Sequence, residues 1–79
     1  MKIKVKLFSY LCNLTGREEN PYSFNMEMGK GAMSIDLLRA INLQADIPMI
    51  ILINGVVKEK NYILQENDEV SILPFIEGG

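Results

Sequence analysis

Asn54-Gly55 stands between the apolar run Met49–Ile53 and the pair Val56-Val57, and no other feature of this 79-residue sequence restricts the fold so tightly. A two-residue type I′ connection needs φ above zero at both central positions, which asparagine tolerates and glycine adopts freely. Its twist also matches that of the strands it joins. The run is therefore a strand that folds back on itself, with Val56 and Val57 opening the return strand. Pro48 keeps any helix from running into it.

Two further segments carry the period of a half-buried strand. Residues 2–8 alternate strictly, with Ile3, Val5 and Leu7 on one face and Lys2, Lys4 and Lys6 on the other. Tyr22, Phe24, Met26 and Met28 alternate with Ser23, Asn25 and Glu27 between breaks at Asn20-Pro21 and Gly29-Lys30-Gly31. A helical turn is expected at residues 10–14, before Thr15-Gly16. Ser34 is expected to cap a helix of about three turns, with Asp36 at the positive end of its dipole. Ile35, Leu37, Leu38 and Ile41 supply its apolar stripe. Residues 62–64 read as a short connecting turn, Glu66-Asn67-Asp68 as a polar turn, and Lys58, Glu59 and Lys60 as a solvated face. Residues 69–73 form the last strand, whose hydrogen-bond ladder Pro74 is expected to end. The order predicts an α+β domain, a mixed sheet of four to five strands packed on one main helix.

Composition narrows the function. A chain this short is one small domain. Its net charge of −2, with scattered lysines and no basic patch interleaved with aromatics, argues against nucleic acid. The longest apolar run, residues 47–53, is broken by Pro48 and falls far short of the roughly 20 residues that span a bilayer. No membrane association and a cytoplasmic location are expected. Cys12 is the only cysteine and there is no histidine to activate it, so it reads as a packing residue. Met26, Met28, Met33 and Met49 read as adaptable packing. There is no phosphate-binding glycine loop, no cysteine cluster of metal spacing and no nucleophile–base pair, so a non-enzyme that binds no cofactor or metal is expected.

The sequence closes on Gly78-Gly79, after Pro74-Phe75-Ile76-Glu77. Glycine has no Cβ, so such a segment can thread a channel too narrow for other residues, and nothing shields the last carbonyl from attack. Glycine pairs at a chain end arise by chance in roughly one sequence in two hundred at a usage of about 7%, and ends commonly fray. Context must therefore decide. The six residues from Pro74 to Gly79 reach roughly 20 Å when extended. Strand parity puts Phe8 on the face of Lys2, Lys4 and Lys6, and Leu73 and Phe75 opposite Val70 and Ile72. Apolar residues on the polar face make a docking patch, unless residues 10–14 cover them or they are isolated exposed side chains.

The run Ile51-Leu52-Ile53-Asn54-Gly55-Val56-Val57, then Leu64, then Asn67-Asp68-Glu69-Val70-Ser71-Ile72-Leu73-Pro74 and Gly78-Gly79, resembles the ubiquitin-like sulfur carriers. These are the small subunit of molybdopterin synthase and the thiamine-pathway carrier, and residues 2–8 match their first strand. The resemblance implies a β-grasp domain at residues 1–74 with a C-terminal tail at 75–79. It also implies a protein cosubstrate. An adenylating enzyme would use ATP and magnesium to convert the Gly79 carboxylate, presented through Gly78, to an acyl-adenylate. A sulfur donor enzyme would then replace AMP to leave a thiocarboxylate. Contacts with that enzyme, and with the molybdopterin synthase large subunit or thiazole synthase, map onto Phe8, Val57 and Leu73, with Phe75, Ile76 and Glu77 in the tail. Glu77 departs from the family, which often has a small or neutral residue there. The short stretch before Met49 resembles the thiamine carrier, whereas Leu73-Pro74-Phe75, nearer the site of chemistry, resembles the molybdopterin type. Other expectations are a ubiquitin-like modifier joined to lysine through Gly79, and a β-grasp interaction module with no tail chemistry.

Overall fold

The computed structural model describes residues 1–75 and realises the alternating segments as strands of one sheet. β1 (Lys2–Leu7) and β2 (Ser23–Glu27) are antiparallel, with Val5 opposite Phe24. β3 (Met49–Ile53), β4 (Val56–Lys58) and β5 (Glu69–Pro74) complete the order β2-β1-β5-β3-β4. β5 is central, parallel to β1 and antiparallel to β3. This is the expected mixed sheet, and its five strands with one α-helix make the β-grasp arrangement.

Parity decides which face is buried. Ile3, Val5 and Leu7 of β1, Phe24 of β2, Ile51 and Ile53 of β3, and Val70 and Ile72 of β5 face the helix side and are buried. Leu37, Leu38 and Ile41 meet them from the helix, while Leu11, Leu43 and Leu64 come from connecting segments. Burying an aliphatic side chain of this size contributes about 1.5–3 kcal/mol, and this layer supplies most of the stability of so small a domain. The 3-10 helix Ser9–Asn13 carries Leu11 and buried Cys12 into the core, as the helical turn expected there.

The helix α1 (Ser34–Ala40) is two turns long, not three. Asn42 adopts φ 65°, its N–H reaches Arg39 O at 3.2 Å, and the Leu43 N–H reaches Leu38 O at 2.9 Å. That is a Schellman stop with asparagine in the left-handed position and two buried leucines closing the hydrophobic contact. Ser34 is not the cap either. Met33 holds that position, and its N–H donates to Asp36 Oδ2 at 2.8 Å. Carbonyls of a crossing loop take the first helical donors: Ser34 N–H meets Tyr62 O at 2.9 Å and Ile35 N–H meets Lys60 O at 2.8 Å. With those donors satisfied, a serine hydroxyl has no capping role, and Ser34 packs in the interior. Lys60 belongs to the same crossing. It is half-buried and its Nζ donates to Ala45 O, so it does not share the solvated face of Lys58 and Glu59.

At the hairpin, Asn54 and Gly55 take φ of 52° and 85°, the type I′ signature. The asparagine side chain has a second task. Its Nδ2 donates to Asp68 Oδ1 at 2.8 Å and its Oδ1 accepts the Glu69 N–H at 2.9 Å, tying the hairpin to the start of β5. Asp68 Oδ2 also accepts the Gln65 N–H at 2.8 Å and lies 3.5 Å from the Tyr62 hydroxyl. Asp68, read from sequence as part of a polar turn, is thus the buried centre of a polar lock. Partial burial, then the charge of Asp68 and the hydrogen bond to it, holds the Tyr62 hydroxyl above its usual range.

Asp68→Ala removes the acceptor of the Gln65 N–H and of the Asn54 amide and leaves a gap where a buried carboxylate stood. It is expected to cost about 1–3 kcal/mol in urea unfolding. An unchanged midpoint would show the lock to be solvated and dispensable.

Candidate functional site

The face of the sheet opposite α1 has no covering layer among the described residues. Its β2–β1 half is polar, with Lys2, Lys4 and Lys6 beside Ser23, Asn25 and Glu27. Its β5–β3–β4 half is apolar: Leu73 lies opposite Ile50, and Leu52 lies between Ser71 and Val57. Ile50 and Leu52 were hidden in the sequence by the unbroken apolar run of β3. Such a run is what a strand apolar on both faces looks like, so the signal was its continuity.

Each expected patch residue has a definite place. Phe8 follows the end of β1, where its N–H donates to Ile72 O at 3.1 Å, and its side chain is 44% exposed. Leu73 is half-buried on the open face. Val57, 67% exposed, and Phe75, 51% exposed, line a groove of about 450 Å³ together with Met49, Ile50 and Lys58. The 3-10 helix does not cover Phe8. Pro74 does not end the ladder: it pairs with Met49, and the Phe75 N–H donates to Pro48 O at 3.1 Å. Proline lacks only its own N–H, so the next residue can still bond to the neighbouring strand. Ile76, Glu77, Gly78 and Gly79 lie outside the described residues.

One ion pair crosses the polar part of this face, with Lys6 Nζ 2.9 Å from Glu69 Oε1. The hydrogen bond from Lys6, then its charge, holds the Glu69 carboxyl below the usual carboxylate range. A depressed acid pKa stabilises the fold above its unfolded value, and the contribution disappears as pH falls through the lower folded value. Both groups are exposed, so the contribution is small. Among the described residues, no group of three or more His, Cys, Asp or Glu could hold a metal ion. No helix among them is long and apolar enough to cross a membrane.

The model of the ThiS family matches residues 5–79. None of the curated proteins matches the chain. Among solved structures, SAMP1 from Haloferax volcanii has a TM-score of 0.77 at 19% identity, covering 100% of both chains. A putative molybdopterin converting factor subunit 1 from Pyrococcus furiosus has a TM-score of 0.76 at 23% identity, covering 96% of this chain and 99% of its own. Subunits 1 and 2 of the molybdopterin-converting factor from Helicobacter pylori, solved as a protein–protein complex, include a chain with a TM-score of 0.58 at 23% identity, both chains covered 100%. These likenesses establish the fold.

Two measurements bear on this face. Phe8→Ser is expected to shift the unfolding free energy by no more than about 0.5 kcal/mol, the usual range for an exposed position. A loss of several kcal/mol would make Phe8 a core residue. In an NMR titration, the Glu69 carboxyl should protonate at lower pH in the wild-type protein than in a Lys6→Met variant, and equal midpoints would show that the ion pair does not hold.

Proposed function

The chain belongs to the ThiS family, and we propose that it is a sulfur carrier, a protein cosubstrate whose Gly79 carboxylate is the reacting group. The observation that carries this reading is the family match, which runs through Gly78-Gly79 on a chain whose exposed apolar patch includes Phe75, the last described residue. A carboxylate is a poor electrophile because its charge is shared between two oxygens. An adenylating partner overcomes this by letting a carboxylate oxygen attack the α-phosphorus of ATP, with magnesium neutralising the phosphates and pyrophosphate leaving. A sulfide-level donor then attacks the acyl carbon and AMP departs, which leaves the thiocarboxylate. In this scheme the protein supplies docking surface and reach. Phe8, Val57, Leu73 and Phe75 contact the partner, while Ile76 and Glu77 lead Gly78-Gly79 into its site.

The acceptor we favour is a molybdopterin or tungstopterin synthase large subunit. Supporting this is the likeness to converting-factor subunit 1 from Pyrococcus furiosus and to the Helicobacter pylori subunit complex. The thiazole branch of thiamine synthesis uses the same terminal chemistry. The likeness to SAMP1, a small archaeal modifier protein, favours a second reading in which the adenylate passes to a lysine instead of to sulfur.

Intact-mass analysis of the protein, incubated with the adenylating enzyme of its host, ATP, magnesium and a sulfur donor, distinguishes these. The expected product carries one sulfur in place of one oxygen, localised to Gly79. Lysine conjugates alone would establish the modifier reading, and an unmodified protein would overturn both. Removal of Gly78 and Gly79 should abolish transfer while docking persists. Leu73→Ala should weaken adenylation roughly tenfold with the fold intact, as a buried apolar anchor of an interface does.

A further inference from the structure

The parallel pairing of β1 and β5 sends both strands to the same end of the sheet, and that end is unusually apolar. Of the eight large hydrophobic residues exposed among the described ones, five lie there: Phe8, Tyr10, Leu14, Tyr22 and Phe75, each at least 44% exposed. Their positions follow from the backbone. Phe8 is bonded to Ile72 just before the end of β5, Phe75 to Pro48, and Tyr22 O accepts the Leu7 N–H at 2.8 Å. Tyr10 belongs to the 3-10 helix, which packs against β5, and Leu14 caps it. Sequence parity had reached only Phe8 and Phe75. Tyr10 and Leu14 sit in a helical turn whose Leu11 and Cys12 point into the core, which leaves its other side outward.

We propose that Tyr10, Leu14 and Tyr22 extend the Phe8–Phe75 patch into a collar that seals the mouth of the adenylating partner around the tail. The proposal rests on the carrier reading above. Only four residues, 76–79, separate Phe75 from the carboxylate, and they span at most about 14 Å. A partner site deep enough to exclude water from an acyl-adenylate therefore brings its rim against the surface around Phe75. Polar groups there would keep water at the joint, whereas apolar side chains expel it. The collar thus has a chemical purpose beyond affinity. If water reaches the acyl carbon, AMP leaves, the carboxylate is regenerated, and the ATP is spent without sulfur transfer. The partner's rim is accordingly an apolar lip, continuous with the surface that receives Val57 and Leu73.

The test uses ATP–pyrophosphate exchange catalysed by the host adenylating enzyme, with AMP release followed in parallel. Tyr10→Ser/Leu14→Ser is expected to raise the half-saturating carrier concentration roughly tenfold or more. It should also raise the AMP released per thiocarboxylate formed. Ile63→Ser removes an equally exposed apolar residue beside Met1 and Glu66, at the opposite end of the sheet, and should change neither quantity. Hydroxyl-radical footprinting of the wild-type protein should show Tyr10 and Leu14 protected by the enzyme, whether or not the double variant folds. Wild-type kinetics in a folded double variant, or unprotected Tyr10 and Leu14, would overturn the collar. So would a self-association that the double variant abolishes without changing exchange. If the wild-type protein supports no exchange at all, the carrier reading itself fails, and the collar with it.

Discussion

The register between β1 and β5 is the constraint on which the rest of this structure depends. Val5 faces Val70 and Leu7 faces Ile72, four apolar residues from opposite ends of the chain that are almost fully buried. Because the two strands are parallel, everything between them has to form a crossover that returns to the start of the sheet. That crossover contains α1, and the only side it can cover is the one to which Ile3, Val5 and Leu7 point. The open face, the apolar end and the position of Phe75 are all consequences of this pairing. A shift of one residue in either strand would turn the apolar rows outward, so the register is fixed by burial and needs no special contact.

The local segments were legible because their signals were local. The two alternating strands, the type I′ hairpin and the apolar stripe of α1 each follow from residues within a few positions of one another. What could not be read involved partners distant in sequence. Ser34 looked like a cap because serine satisfies helix donors, but the carbonyls of Lys60 and Tyr62, folded back from more than twenty residues away, satisfy them first. Asp68 looked like a turn residue because its partners Asn54 and Tyr62 are adjacent only after β3, β4 and β5 have assembled. The length of α1 is a different case. Asn42 is a recognised left-handed stop, and Leu38 and Leu43 were both there to complete the motif, so the signal was present and outweighed by the continuing apolar pattern.

The candidate site divides in the same way. Phe8, Leu73 and Phe75 were found by strand parity, since each interrupts a polar face. Ile50 and Leu52 were not, because β3 is apolar on both faces and parity has no contrast to work with. Tyr10 and Leu14 lie beyond the end of β1, where no period applies, and Tyr22, read with Phe24 as part of the alternating apolar face, stands just outside β2 and is exposed. The result is a molecule with two unlike ends. One carries the hairpin, Asn67 and the Asp68 lock, and is held by hydrogen bonds between polar groups. The other carries exposed rings and aliphatic chains around the last residues of β1 and β5.

The central position of β5 also sets how the molecule bears load. A pull on the chain beyond Phe75 acts along β5, which is bonded to β1 on one side and β3 on the other. The force therefore runs parallel to both ladders and loads their hydrogen bonds together in shear, so that no single bond can be opened alone. An edge strand pulled from its end would peel bond by bond. A machine that grips this protein by its last residues and tries to unfold it meets the domain in its most resistant direction. The strand that leads out of the domain is thus also the one hardest to extract from it.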